Sequence, residues 1–261
     1  MSFRQSENIK YFVFDSLVDE PVIQAIFTRR GGVSPSPWAT LNLGATVGDE
    51  FSRVIENRKR AFSAIGCSYD SVFDVWQVHS AEVVCTDKPK SPQTPHLQAD
   101  VIITDKPGVT LLMRFADCVP IFLYDPKRRV VGLAHAGWQG TVLKTVQAAV
   151  KTMQAQYQCH PADILAGIGP SIAKHHYQVG EDVISKVEMA FGKDSNFILS
   201  HQDGAVQLDL WEANRLILEE AGIRYIEVAG ICTACQLDDW FSHRGENGKT
   251  GRFGGLIHLK A

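Results

Sequence analysis

Three segments of the chain carry metal-competent side chains at points where apolar runs end. His79 follows a short apolar stretch in WQVHS, Asp117 and Cys118 interrupt two very apolar runs in RFADCVPIF, and His135 closes another in GLAHAGWQGT before a glycine turn. A polar group at the end of a buried strand must be satisfied by a hydrogen bond, a metal or solvent, because leaving it bare costs stability. Two imidazoles and one thiolate suit zinc and leave a fourth position for water. Zinc in such a site lowers the pKa of its bound water from about 15.7 to about 7, supplying hydroxide at neutral pH. The separations of 39 and 17 residues belong neither to a zinc finger nor to an HExxH helix. On spacing alone, two other readings stand beside the metal. Cys118 is equally a small buried thiol next to hydrogen-bonded histidines, or a nucleophile with His135 or His79 as its base.

Other segments offer weaker chemistry. The TRRGGVS stretch (28–34) would present backbone N–H groups and Arg29 to an anion such as phosphate, or form a plain turn. CTAC (232–235) has the CxxC spacing of redox and zinc sites, but no second CxxC accompanies it, so a structural pair of thiols is expected. His175 and His176 are adjacent. Successive side chains of regular structure cannot both face one point, so they are read as surface residues, with His176 the nearer to a pocket.

The elements that must position these groups can be read from periodicity. Apolar runs rich in β-branched residues mark strands at 11–14, 22–27, 82–85, 100–105, 109–115, 119–125 and 130–135. KPG and DPKRR supply turns among the last four of these, which predicts a mostly antiparallel meander. Helical spacing predicts four helices: one capped by Asp49 and stopped at Gly66, one through Val142, Leu143, Val146, Val150 and Met153, one from Val183 to Phe191, and one capped by Asp209 that carries Leu210, Ala213, Leu216 and Ile217. The proline-rich KPKSPQTPH (88–96) reads as a surface loop between strands. Runs of strands with interspersed helices argue for an α+β layered fold with mixed, largely antiparallel sheets, not a doubly wound one.

With 261 residues, one domain spanning 1–261 with a substantial core is expected. A net charge of -3 gives no basic footprint for nucleic acid. No signal peptide or bilayer-spanning run is visible, so a cytoplasmic protein with neither nucleic-acid nor membrane partners is expected, its six cysteines reduced. Oligomeric state is left open.

The motifs TRRGGVSPSPWATLNLG, VGDE, ENRKR, QVHS, FADCVPIFLYDP, HAGWQGT, IGPSI, YQVG and FSHRGENGKTGR, in this order along nearly the whole chain, closely resemble the bacterial polyphenol-oxidase or laccase-domain family, also known as YfiH-like multifunctional purine nucleoside phosphorylases. The resemblance implies a single-domain αββα sandwich related to toxin-type cysteine hydrolases, and a zinc ion held by His79, Cys118 and His135. It brings Asn42, Arg58 and Arg252, together with Arg29, forward as substrate contacts in the same cleft, with structural side chains that cap loops as the alternative for the first three. It implies phosphorolysis of adenosine, inosine, guanosine and methylthioadenosine, and hydrolytic deamination of adenosine, so purine nucleosides and phosphate are the expected partners. Asp117 is the candidate proton acceptor or partner of the metal ligands. Gln139, Gln178, His243 and Gly245 stand where the family usually has arginine, glutamate, tyrosine and a second arginine, which touches anion binding but none of the three ligands.

The family's older name suggests a copper-dependent polyphenol oxidase. Blue and trinuclear copper sites need many histidines, commonly in His-X-His pairs, and the chain has no such pair. Copper at a two-histidine, one-cysteine site would oxidise phenols slowly. A cysteine hydrolase built on Cys118 is the remaining enzymatic alternative.

Overall fold

The computed structural model describes residues 2–91, 93–202 and 204–261. In chain order its elements are β1 (Ser2–Ser6), β2 (Ile9–Val13), β3 (Val22–Phe27), α1 (Phe51–Ala64), β4 (Val72–Asp74), β5 (Val83–Cys85), β6 (Val101–Thr104), β7 (Thr110–Phe115), β8 (Val119–Asp125), β9 (Val130–Ala136) and α2 (Trp138–Val142). They continue with α3 (Thr145–Tyr157), β10 (Leu165–Ile168), β11 (Gln178–Val179), α4 (Glu181–Phe191), α5 (Ser195–Ile198), β12 (Leu199–Gln202), β13 (Ala205–Leu208), α6 (Leu210–Glu220), β14 (Tyr225–Val228) and β15 (Phe253–Leu259).

Two six-stranded sheets form the centre. One has the order β1-β2-β3-β15-β7-β4 and the other β14-β10-β8-β9-β6-β5. Pairing is antiparallel except at β4–β7, β5–β6 and β10–β14. A small sheet, β11-β13-β12, lies apart. Three apolar layers follow. Phe12, Phe14, Met113, Phe122, Tyr124 and Phe253 fill the space between the two large sheets. Ala61 and Phe62 of α1 pack on Ala25, Leu112 and Leu256 on the outside of the first. Val146, Val150, Val187 and Ile217, from α3, α4 and α6, cover the outside of the second. The expected α-β-β-α layering is therefore present. Burying each large side chain contributes roughly 1.5–3 kcal/mol, and no disulfide supplements this, since all six cysteines are free.

The predicted meander divides between the sheets. β8 and β9 form a hairpin and β6 pairs with β9, but β7 lies in the other sheet beside β15. All four strands are buried on nearly every residue, so periodicity held no information about which sheet each would join. Two further boundaries moved. Asp49 does not cap α1, since Glu50 holds that position. Its carboxylate instead accepts hydrogen bonds from Ser34 Oγ, Asn42 Nδ2 and the Glu50 N–H. The single helix expected after GWQG is broken at Lys144, whose left-handed backbone (φ 59°) separates α2 from α3 and leaves Leu143 exposed. The helices at Glu181–Phe191 and Leu210–Glu220 form as expected, and Asp209 caps the latter through a hydrogen bond from Glu212 N–H. The 88–96 loop joins two strands as expected, with Pro92 outside the described residues.

The chain crosses from the first sheet to the second twice in ways that matter for function. Residues 75–82 link β4 to β5, and residues 116–118 link β7 to β8.

Candidate metal centre

His79 and Cys118 lie on these two crossings, and His135 is near the end of β9, opposite Pro120 of β8, which begins right after Cys118. One donor atom from each of the three comes within 4.8 Å of the others. The Cys118 Sγ to His79 Nε2 separation is 3.9 Å, and the two imidazole rings are 5.0 Å apart at 66°. His135 is buried and His79 exposed, so one side of the trio faces outward. The three residues that the sequence places far apart thus converge, as both a metal site and a thiol beside hydrogen-bonded histidines require.

Asp100 organises the centre, and sequence reasoning did not single it out. It is fully buried, and its Oδ1 lies 2.8 Å from His135 Nδ1, leaving Nε2 for the site. Its Oδ2 accepts from the amides of Val78 and Ser80, on either side of His79, and from the Ser80 hydroxyl. Burial raises the Asp100 carboxyl, but the His135 hydrogen bond and charge outweigh this and hold its pKa at about 2. A carboxylate behind a metal-binding imidazole fixes its tautomer and orientation. The available signal was a carboxylate opening the apolar run DVIITD, which had to find a partner indoors.

The local backbone is fitted to this task. His79 sits in the left-handed region (φ 60°), a conformation that costs about 1–3 kcal/mol unless its surroundings impose it. The Asp100 bonds impose it, together with Gln77, whose side-chain amide exchanges hydrogen bonds with the Arg114 backbone like a strand partner. Gly137 follows His135 so closely that a Cβ there would lie 2.8 Å from Cys118 Sγ and 3.2 Å from His79 Cδ2. Only glycine leaves room for the thiol at that point.

Charge in the trio is polarised. Burial pushes the Cys118 thiol up, but the charge and hydrogen bond of His135, with a further contribution from His79, bring it down to about 6. Burial pushes His135 down, and the opposing Cys118 charge and the Asp100 hydrogen bond raise it to about 9. Without a metal, the pair is thiolate and imidazolium between those values. In metal-free protein, Cys118 alkylation is therefore expected to rise through a midpoint near pH 6, not near the ordinary thiol value of about 8.5. Iodoacetamide labelling followed by peptide mass spectrometry reads this, and a midpoint of 8 or above would show that the ion pair is absent. Metal binding must displace the His135 proton, so affinity falls with falling pH.

The other sequence candidates are distributed unevenly. Asp117 adjoins the thiol, but its Oδ1 accepts from the Thr233 hydroxyl and its Oδ2 from the Arg244 N–H. Arg29 donates to the carbonyls of Ala39 and Leu237 and to Glu246, and stacks on Phe241. The glycines beside it are packed against backbone: a Cβ on Gly32 would lie 2.1 Å from the Thr40 carbonyl oxygen. The TRRGGVS segment is therefore a packed turn. Asn42 is fully buried and ties Gly44, Asp49 and the Arg252 N–H together. Arg58 donates to the Leu43 carbonyl and faces Asp74 at 3.6 Å. Arg252 also donates to backbone, from Nη1 to the Thr250 and Gly251 carbonyls, but its guanidinium, whose pKa burial lowers, feels the opposing charges of Cys118 and Asp117 as well.

Residues 23–260 match the family model described as multi-copper polyphenol oxidoreductase laccase. A Bacillus subtilis protein named purine nucleoside phosphorylase YlmD is 37% identical over 251 residues, covering 93% of this chain and 90% of that one. A Deinococcus radiodurans purine nucleoside phosphorylase is 38% identical, covering 91% and 89%. Among solved structures, the Bacillus licheniformis hypothetical protein YfiH superposes with a TM-score of 0.92 at 34% identity, and YlmD from Geobacillus stearothermophilus with 0.92 at 32%, each over 99% of both chains.

Proposed function

This chain belongs to the laccase-like, YfiH-type family described as multi-copper polyphenol oxidoreductase laccase, and we propose that it is a zinc-dependent purine nucleoside phosphorylase that also deaminates adenosine. The observation that carries the reading is the convergence of His79, Cys118 and His135 within 4.8 Å around an exposed side. The names of its relatives supply the substrate class. Two imidazoles and a thiolate backed by a carboxylate form a donor set that zinc fits, with a position left open. Zinc bound there supplies a Lewis acid that polarises an oxygen of phosphate or water.

The chain's own residues do the rest. Phosphorolysis needs phosphate held by cationic donors beside a ribose carbon that gains positive charge. We assign Arg252 to that task, with Arg244, whose guanidinium lies 5.2 Å over the Tyr177 ring. Burial and the nearby charges of Cys118 and Asp117 raise the Tyr177 hydroxyl, so it stays a hydrogen-bond donor at neutral pH. We assign Arg29, Asn42 and Arg58 to holding the surrounding loops, and Asp117 to joining Cys118 to residues 233 and 244. A reducing cytoplasm suits six free thiols.

The test is to incubate purified protein with adenosine or inosine, with and without phosphate, and separate the products by chromatography. Adenine and hypoxanthine that depend on phosphate, and inosine that does not, are expected. No product above a Cys118→Ala control would sink the assignment, and copper in excess of zinc in protein purified without added metal would favour the oxidase. A second reading has one observation in its favour: Cys118, His135 and Asp100 line up as thiolate, imidazolium and carboxylate, the arrangement of a cysteine hydrolase. Equally fast Cys118 alkylation in zinc-loaded and chelator-treated protein would decide for it.

A further inference from the structure

The CTAC thiols and the paired histidines, expected to be unrelated, meet. His175 Nε2 lies 3.1 Å from Cys235 Sγ, and His176 Nε2 lies 3.7 Å from the same sulfur. With Cys232, the four donor atoms all lie within 4.8 Å of one another. Adjacent histidines can do this because Lys174–His176 is a 3-10 turn, not a strand, and it curls both rings onto one neighbour at 85° to each other.

We propose that His175, His176, Cys232 and Cys235 form a second metal site, a closed two-cysteine, two-histidine zinc site that pins the 171–177 turn to the 231–236 loop. Tetrahedral zinc with bonds of about 2.3 Å to sulfur and about 2.0 Å to nitrogen requires donor-to-donor edges of about 3.3–3.8 Å. The distances present bracket that range, so a contraction of about 1 Å or less completes the shell. The donor chemistry points the same way, because two thiolates balance the divalent charge and two imidazoles complete four ligands. A thiol seeking only a hydrogen bond needs one partner, and Cys235 has two imidazoles. Cys232 is buried, and the hydrogen bond it accepts from the Ala173 N–H fixes its sulfur on the 171–177 turn. The two segments are already joined by Ser171 N–H to the Ile231 carbonyl and Thr233 N–H to the Ser171 carbonyl. A cavity of about 310 Å³, lined in part by Lys174, Asp209 and Trp211, opens beside the cluster and gives the ion a way in.

Four protein ligands leave no open position, so this ion is structural where the first is reactive. Its influence still reaches the first centre. Thr233, between the two cysteine ligands, holds Asp117, and the carbonyls of His176 and Gln178 accept from Arg244, whose amide also holds Asp117.

The experiment is a metal count by mass spectrometry on full-length protein purified in reducing, zinc-supplemented buffer. Wild type is expected to carry about two zinc ions per chain, and Cys235→Ser and Cys118→Ala about one each. The difference between wild type and Cys235→Ser reads this site alone. Loss of one equivalent supports the proposal and no change overturns it, whatever the first site holds. A His175→Ala variant must reproduce that loss. Cobalt added to metal-stripped Cys118→Ala protein is expected to give the intense visible bands of a tetrahedral thiolate site, absent once Cys235→Ser is added. A Cys232–Cys235 disulfide that persists in the reducing buffer overturns the proposal.

Discussion

Cys118→Ala is expected to lose the ion at the first centre and, with it, phosphorolysis and deamination alike by about 10³-fold or more, the order of magnitude for removing a principal stabiliser of transition-state charge. Both activities should fall together, because the zinc reading uses one ion for both. Asp100→Asn should sit between this variant and wild type. It keeps the shape at 0% exposure but replaces the acceptor of the His135 proton, and removing such a partner costs about 10–100-fold in metal affinity. The measurements are zinc affinity by competition with a chromophoric chelator, and kcat/KM with added zinc. Recovery of Asp100→Asn activity at high zinc, without recovery of Cys118→Ala, is the expected pattern. Full activity in zinc-free Cys118→Ala protein would end the metal mechanism.

The largest effect on stability is expected at Asp74, which none of the sequence motifs includes. This carboxylate, 3% exposed, lies 2.6 Å from Arg114, 3.6 Å from Arg58, 3.7 Å from Lys90 and 3.0 Å from His96 Nε2. Burial raises its pKa, but the His96 hydrogen bond and the charges of Arg114 and Arg58 outweigh this and hold it below the usual carboxylate range. Asp74→Ala leaves two largely buried guanidiniums facing each other, which costs about 3–5 kcal/mol, or on the order of 10 °C in Tm for a chain of this size. Because the folded pKa lies below the unfolded value, the ion pairs contribute fully above about pH 3.9 and are lost as pH falls toward the folded pKa. The gap between wild type and Asp74→Ala in urea unfolding should therefore be widest near neutrality and close below about pH 4. A gap independent of pH would mean that packing, not charge, is responsible. The same cluster reaches function, since Arg114 is the residue whose backbone anchors Gln77 and so the His79 segment.

What the sequence shows and what it hides divide along physical lines. The convergence of His79, Cys118 and His135 was legible because metal-competent groups at the ends of apolar strands need an explanation, and their motifs resemble a known family. Strand and helix segments were legible from apolar spacing, yet the placement of β7 was not. A strand buried on both faces reads the same in either sheet. Asp100 escaped because a single aspartate before an apolar run is common, and only the fold shows which histidine it meets. Arg29, Asn42 and Arg58 looked like ligand contacts because polar residues in motif loops resemble one another in one dimension. Their hydrogen bonds to neighbouring loops become visible only in three. His175 and His176 were separated from CTAC by an argument about regular structure that a 3-10 turn does not obey.

The first centre straddles the two places where the chain leaves one sheet for the other. An ion held there would be a rivet through the sandwich, with His79 and Cys118 each drawn from a seam and His135 from the second sheet. Sliding one sheet over the other by even a fraction of a bond length would pull the donors out of register. Loading with zinc should therefore slow amide exchange along the facing rims of both sheets, well beyond the residues that touch the ion.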